Sequence, residues 1–402
     1  LLPVRLKLAE RELASLIQQT GAEWRWMPAV GGGTLVPTGV ASARQPEPPR
    51  TPTGPATEPL AVLIQTSGSS GSPKAVMLTQ NAVLSSCMLI NRALGLVAGD
   101  EWLCCLPLQH VGGLAIGYRC ALAGATLRLQ SGLAGGFDAA AVAADLARGR
   151  VTHLSLVPPM LARLLDADAR PPPSLRVLLL GGQALHSALA HRTIAAGWPL
   201  YVTYGMSETF SQIATARYAA PGLAPTQVGP PLDGVELDCA RCGETPRRLR
   251  LRGPMLMAGY ANPSRWPGDG LSGGWLETAD LACVDKAGAL HLLGRADDLL
   301  VIGGVNVLPA RVEEQLATAP GVDAVAVIGV PNAVWGRTLA ACYTGSAAQA
   351  EIEDWCRAHL TGAERPRLFV CCNELPLLAS GKLDRAALVR LASAASAVQQ
   401  RS

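Results

Sequence analysis

The sequence predicts an α/β protein, with a large N-terminal α/β domain that carries a β-rich subdomain and a small α+β domain at its C-terminal end. Three observations carry this. Between residues 60 and 220, short apolar runs alternate with helical stretches, as strands and crossover helices of a parallel sheet do. From 225 to 295 the pattern becomes short strands with frequent turns, the mark of antiparallel structure. After "GRADDLLVIGG" (294–304) a new alternation starts. We therefore divide the chain into 1–295 and 296–402, with the boundary near 295–298.

At 402 residues the chain is too long for one small core. Hydrophobic residues make up 49% and charged residues 16%, so a sizeable core can be buried. A net charge of +3 is too small to argue for a nucleic-acid surface. The longest apolar stretch, 102–118, is interrupted by Pro107, Gln109 and His110, which argues against a membrane span. Eleven scattered cysteines suit reduced thiols in the cytosol. "CARC" (239–242) lacks the second pair that a structural zinc site needs, so a strand-connecting turn is expected there. The chain begins with Leu1 rather than Met, so a preceding segment is expected. The sequence leaves a homo-oligomer open.

Taken in order, "LAERELASLIQQTGAEW" (8–24) reads as a helix and a strand, and the proline-rich stretch 44–59 as an exposed connector. "LAVLIQ" (60–65) reads as a buried strand, and "AVMLTQNAVLSSCMLI" (75–90) as a strand edge followed by a helix. Between them lies "TSGSSGSPKAV" (66–76). A linker would be bland here, but a loop held between buried elements has fixed ends. Gly68 and Gly71 then supply unusual backbone angles, and bare backbone lets N–H groups approach an anion. Thr66, Ser67, Ser69 and Ser70 supply hydroxyls, and Lys74 a positive charge. This is the chemistry of a phosphate cradle, though not of the Walker type, whose lysine follows the second glycine directly. Alone, it weighs evenly against a tight structural turn.

Further on, "LLLGGQAL" (178–185) ends a buried strand in two glycines, where open α/β sheets bind ligands; Gly182 and Gln183 stand there. "YVTYGMSETFSQ" (201–212) offers Tyr204 as a ring face, Gly205, Met206 and Ser207 around it, and Glu208 as a hard oxygen for Mg²⁺. Asp280, in "GWLETADL", can accept bonds from two ribose hydroxyls, and Arg295 can serve phosphate or ribose oxygens. Lys382 sits on a glycine-led loop in "LASGKLDR". Each signal is weak by itself, and a solvated surface residue or polar strand end is the rival reading.

Their order resembles the adenylate-forming acyl/aryl-CoA synthetase superfamily, over residues 8–387. "TSGSSGSPKAV" is similar to that family's T-S-G-T-T-G-x-P-K-G loop, with serines at 69 and 70 and Ala75 in place of glycine. "YGMSET" is similar to its adenine and magnesium motif, and "GRADD" to its hinge. The family carries a longer stretch before the loop, so the start of the first domain looks shortened here. "LPLQHVGGLAIGYRCALAGATL" and "YGMSETFSQIAT" look most like the family's o-succinylbenzoate–CoA ligase branch, of menaquinone and phylloquinone synthesis.

The resemblance implies an acyl-adenylate made from ATP with Mg²⁺, followed by thioester formation on coenzyme A. It implies that Lys382 clamps the carboxylate and α-phosphate, and that a mobile C-terminal domain pivots at Asp297. Gly303 and Gly304 would serve coenzyme A. His110 would line the passage between acid and thiol, and Arg119 would neutralise the acid's spectator carboxylate; a snorkelling surface arginine is the alternative. Another acyl or aryl acid, a carrier-protein acceptor, and a non-catalytic binding homologue are the rival functions.

Overall fold

A computed structural model describes residues 24–29, 32–37, 58–67, 73–218, 226–262, 265–332, 336–377 and 383–399. Most of the expected helix at 8–24 and most of the 44–59 connector lie outside these residues, as do Gly68, Ser69, Ser70, Gly71 and Lys382. Strands β1 (Trp24–Ala29) and β2 (Gly32–Pro37) form an antiparallel hairpin. Strands β3 (Leu60–Ser67) and β4 (Pro73–Thr79) form a second, whose register sets Thr66 opposite Lys74. Helix α1 (Gln80–Leu94) starts where Thr79 Oγ1 accepts the Ala82 N–H at 3.1 Å, satisfying an otherwise orphaned donor.

Strands and helices then alternate as expected. The order is β5 (Glu101–Cys104), α2 (Val111–Ala123), β6 (Thr126–Leu129), α3 (Ala139–Arg148), β7 (His153–Leu156) and α4 (Pro158–Asp166). It continues with β8 (Val177–Leu180), α5 (Ser187–Ala195), β9 (Leu200–Met206) and β10 (Ser211–Arg217). The sheet order is β10-β9-β8-β7-β5-β6, parallel throughout except for β9–β10. Strands β7 and β8 are buried along their whole length; β8 accordingly reads as an unbroken apolar run, while β7 buries His153 and Ser155 with their hydrogen-bond partners.

The β-rich region follows: β11 (Gln227–Gly229), β12 (Glu236–Asp238), β13 (Ala240–Arg241), β14 (Arg247–Arg252), β15 (Gly259–Asn262) and β16 (Arg265–Asp269). After these come β17 (Leu271–Ser272), β18 (Trp275–Val284) and β19 (Leu290–Arg295). Seven of these nine make an antiparallel sheet around β18, which the short β13 joins in parallel. Strands β15 and β16 instead extend the β3–β4 hairpin, in the order β16-β15-β4-β3.

One expectation fails here. Cys242 and Cys283 are joined in a disulfide, so the cysteines are not all thiols. They are 41 residues apart, and only the parallel pairing of Arg241 with Val284 brings them side by side. The other nine cysteines are free.

The chain ends in β20 (Leu300–Ile302), β21 (Val305–Val307), α6 (Pro309–Leu316), β22 (Val322–Asn332) and β23 (Gly336–Gly345). Helix α7 (Gln349–His359), β24 (Leu368–Cys371) and α8 (Arg385–Gln399) complete it. Three clusters of buried apolar side chains draw only on residues before Arg295, and two draw only on residues from Leu300 onward. Among the described residues no helix is long and apolar enough to cross a membrane.

Candidate active site

Parallel strands place everything that follows them at one edge. His110 stands at the N-terminus of α2 after β5, Gly182 and Gln183 follow β8, and Gly205 to Glu208 end β9. The ends of these strands therefore converge, as open α/β sheets arrange ligand sites. The turn after β9 is tight. A Cβ on Gly205 would lie 2.0 Å from the Ser211 carbonyl oxygen, so no other residue fits there. Phe210 and Ser211 hold positive φ angles of 48° and 105°, and the Ser86 hydroxyl donates to the Phe210 carbonyl at 3.0 Å. Backbone strain at this turn aims Ser207 and Glu208 at the edge.

The β3–β4 hairpin meets this turn through a residue that the sequence reading missed. Tyr260 pairs with Val76 across β15–β4. Its hydroxyl donates to Glu208 Oε1 at 2.8 Å, and its ring lies 4.7 Å beneath the Lys74 ammonium. One side chain thus ties Lys74, the lysine of the candidate phosphate loop, to Glu208, the candidate magnesium carboxylate. Burial, with the Glu208 charge and hydrogen bond, raises the Tyr260 pKa, so it stays a donor. No local motif marks Tyr260; its only signal is a strand pairing made across 184 residues, between Val76 and Tyr260.

A second connected group lies beside it. The Tyr204 hydroxyl donates to Asp280 Oδ2 at 2.5 Å, and Arg295 Nη1 lies 3.4 Å from Asp280 Oδ1. Burial and the Asp280 charge push the Tyr204 pKa well up. Asp297 is not the plain surface aspartate that a bare sequence allows: Arg248 holds it at 3.0 Å and Arg295 at 3.4 Å. Gly303 and Gly304 form the tight turn between β20 and β21, both with positive φ.

Arg119 is neither exposed nor snorkelling. It is 1% exposed, its guanidinium carbon is 5.6 Å from the Trp102 ring centre, and its Nε and Nη2 have no hydrogen-bond partner. Burial brings its pKa down to about 10, so it remains charged at neutral pH. Its neighbour Tyr118 packs edge-on against Phe210, with ring centres 5.4 Å apart. Helix α2 therefore runs from His110 at the edge past the turn that carries Glu208, and helical side chains lean back toward the N-terminus.

A magnesium ion fits these donors. Among the described residues no three His, Cys, Asp or Glu side chains cluster as a protein-only metal cage. A single carboxylate such as Glu208, beside the β3–β4 hairpin, is what Mg²⁺ uses when substrate phosphates supply the remaining oxygens.

The chain is similar to known proteins over most of its length. The AMP-binding enzyme family matches residues 7–261, and the AMP-binding enzyme C-terminal domain matches residues 311–382. The 2-succinylbenzoate–CoA ligase of Enterococcus faecalis is 33% identical over 342 residues, covering 82% of this chain and 69% of its own. That of Geobacillus kaustophilus is 35% identical over 348 residues, covering 83% and 70%. Among solved structures, the o-succinylbenzoate coenzyme A synthetase MenE of Bacillus subtilis with ATP and magnesium superposes with a TM-score of 0.70. The identity is 32%, and 81% of this chain and 69% of that one are covered. ATP-bound MatB of Rhodopseudomonas palustris gives 0.71 at 25% identity, covering 82% and 68%.

Proposed function

Since the chain belongs to the AMP-binding enzyme family, as an AMP-forming acid–CoA ligase, we propose that its acid is o-succinylbenzoate and its product o-succinylbenzoyl-CoA. That is the ligation which menaquinone and phylloquinone synthesis requires, drawing on cytosolic ATP and coenzyme A. The relatives carry this activity in their names. The single observation in this chain that favours a diacid is Arg119: a buried guanidinium whose side-on pair of donors faces no acceptor. An unpaired buried charge is costly, so a carboxylate that completes it gains strongly.

The substrate's succinyl carboxylate attacks the α-phosphorus of ATP, and pyrophosphate leaves. The thiol of coenzyme A, losing its proton, then attacks the acyl carbonyl, and AMP leaves. Two anions must approach in the first step, so charge neutralisation and alignment dominate its barrier. Lys74, the hydroxyls of Thr66, Ser67, Ser69 and Ser70, and the amides of Gly68 and Gly71 would hold the phosphates. Gly182, Gln183, Tyr204, Gly205, Met206 and Ser207 would take the adenine end, and Asp280 with Arg295 the ribose. Glu208 would hold Mg²⁺, which supplies charge neutralisation of the phosphates when bound. Lys382 would bridge the carboxylate and α-phosphate, and His110 would line the thiol passage. Residues 296–402 would move as a unit about Asp297 between the two steps, bringing Gly303 and Gly304 toward coenzyme A.

Incubation with ATP, Mg²⁺, coenzyme A and a panel of aryl and acyl acids tests this. We expect AMP, pyrophosphate and thioester in equal amounts, with the highest kcat/KM for o-succinylbenzoate. Arg119→Ala should raise the KM for that acid at least about tenfold, the scale of a lost charge-assisted bond, and leave the KM for ATP unchanged. A wild type that prefers a monoacid, or a variant with unchanged o-succinylbenzoate kinetics, overturns the substrate assignment.

A further inference from the structure

Tyr260 is held in place from two sides. Its strand, β15, pairs with β4 through Gly259 with Met77 and Tyr260 with Val76, and the Ala258 N–H donates to the Met77 carbonyl at 2.9 Å. The Met257 N–H donates to the Glu208 carbonyl at 2.8 Å, so the backbone leading into Tyr260 is also bonded to the turn that carries Glu208. The ring is closely packed. A Cβ on Gly270, whose φ is +96°, would lie 2.6 Å from ring carbons Cδ2 and Cε2, so only glycine leaves the ring its place there.

Two opposite charges meet this one side chain. The hydroxyl donates to Glu208 Oε1 at 2.8 Å, and the Lys74 ammonium sits 4.7 Å from the ring centre. Lys74 is exposed and Glu208 is half-buried. Paired directly, an ammonium and a carboxylate would neutralise each other and leave neither charge for a ligand. The tyrosine takes hold of both without cancelling either. A hydroxyl bonded to one carboxylate oxygen fixes the group's rotation and leaves the second oxygen open. A ring face attracts a cation while the cation's N–H donors stay available.

From this we infer that Tyr260 is a positioning residue for ATP and its metal ion, with two separable functions: its hydroxyl orients the Glu208 carboxylate for Mg²⁺, and its ring seats the Lys74 ammonium for the phosphates. The inference rests on the reading above, in which Glu208 holds Mg²⁺ and Lys74 the phosphates. It does not depend on which acid is activated. A hydrogen-bond partner fixes a metal ligand's orientation, and losing one typically costs about ten- to a hundredfold in metal affinity. A cation–π contact at an exposed site is worth less, about two- to fivefold in affinity. Phenylalanine keeps the ring alone and leucine keeps neither group, so substitution can remove the two functions one at a time.

The test titrates ATP calorimetrically into the full chain without any acid, in Mg²⁺ and again in EDTA, for the wild type, Tyr260→Phe and Tyr260→Leu. Kd and Tm are measured for each. We expect Tyr260→Phe to weaken ATP binding about tenfold in Mg²⁺ and to leave it unchanged in EDTA. Tyr260→Leu should lose about two- to fivefold more, and that further loss should appear in EDTA as well. With Glu208→Gln already in place, adding Tyr260→Phe should change neither Kd. A merely structural tyrosine would instead lower Tm and weaken binding equally in both buffers. That result, or unchanged binding in Tyr260→Phe, overturns the role of the hydroxyl. A Tyr260→Leu that matches Tyr260→Phe in EDTA overturns the role of the ring. In either case the assignment of Glu208 and Lys74 stands. A wild type indifferent to Mg²⁺, or one that binds no ATP, overturns that assignment as well.

Discussion

Tyr260 shows at the scale of one residue how separate motifs become a site. Its hydroxyl fixes the Glu208 carboxylate and its ring seats the Lys74 ammonium, so the carboxylate proposed for the metal and the cation proposed for the phosphates are held in fixed relation. Preorganisation of this kind is what charge stabilisation in a transition state needs. On the proposed mechanism Lys382 adds the last charge, and in one step only. Lys382→Ala should slow acyl-adenylate formation about 100- to 1,000-fold, measured as ATP–pyrophosphate exchange. It should leave the attack of coenzyme A on preformed adenylate within a few-fold of wild type, since removal of one transition-state charge contact costs about 3–4 kcal/mol only in the step that uses it. Equal loss in both steps would make the lysine structural.

At the scale of elements, polar contacts join the segments on either side of residue 297, and two of them stand out among the described residues. One is Asp297, held by Arg248 from β14 and Arg295 from β19. The other joins the start of α5 to α6. Glu314 Oε2 lies 3.3 Å from His186 Nδ1, and its Oε1 accepts the Ser187 hydroxyl at 2.6 Å. Burial opposes a charged His186, but the hydrogen bond and charge of Glu314, with the charge of Glu313, outweigh it and raise the histidine pKa above its usual 6.5. Burial likewise opposes a charged Glu314, and the bonds from His186 and Ser187 outweigh it, lowering its pKa below 4.5. Around the pair stand Tyr218, which faces Glu314, and Arg385 and Asp298, which face Glu313.

The signs fix the pH window. The raised histidine contributes fully below 6.5 and is lost as pH climbs through its folded value; the lowered glutamate contributes fully above 4.5 and is lost as pH falls through its own. The contact is therefore complete between 4.5 and 6.5 and weakens toward alkaline pH. Energy transfer between a dye on each side of residue 297 should fall as pH rises from about 6 to about 8.5, across the histidine range. His186→Phe should flatten that response. A wild type with no pH response in this interval would show that the contact does not hold the two segments together.

The whole molecule is built on separate cores. Apolar clusters before Arg295 share no member with those from Leu300 onward, so the two parts bury their surfaces independently. Such a chain need not unfold in one step. Calorimetry should resolve two transitions. Saturating ATP with Mg²⁺ should raise the one belonging to residues before 295, by about 2.7 kcal/mol of added stability at a hundred times Kd. A single cooperative transition that shifts as a whole would mean that the two parts are thermodynamically one.

The sequence by itself determined the fold class, the strand-and-helix order between 60 and 220, the change to antiparallel structure after 225, and the family. Those properties are local: period, turn chemistry and motif are written along the chain within a few residues of one another. Arg119 shows the limit. Its helix was legible, but its burial and its unpaired Nε and Nη2 were not, because they depend on how α1, α2 and β10 pack. Tyr260 and the Cys242–Cys283 bridge lie beyond that limit for the same reason. Each acquires its role from a partner distant in sequence: Tyr260 from Val76 through a strand register, Cys242 from Cys283 through a neighbouring strand. Composition and spacing record which groups a chain owns; only the close packing of non-local elements decides which of them meet and which are buried without a partner.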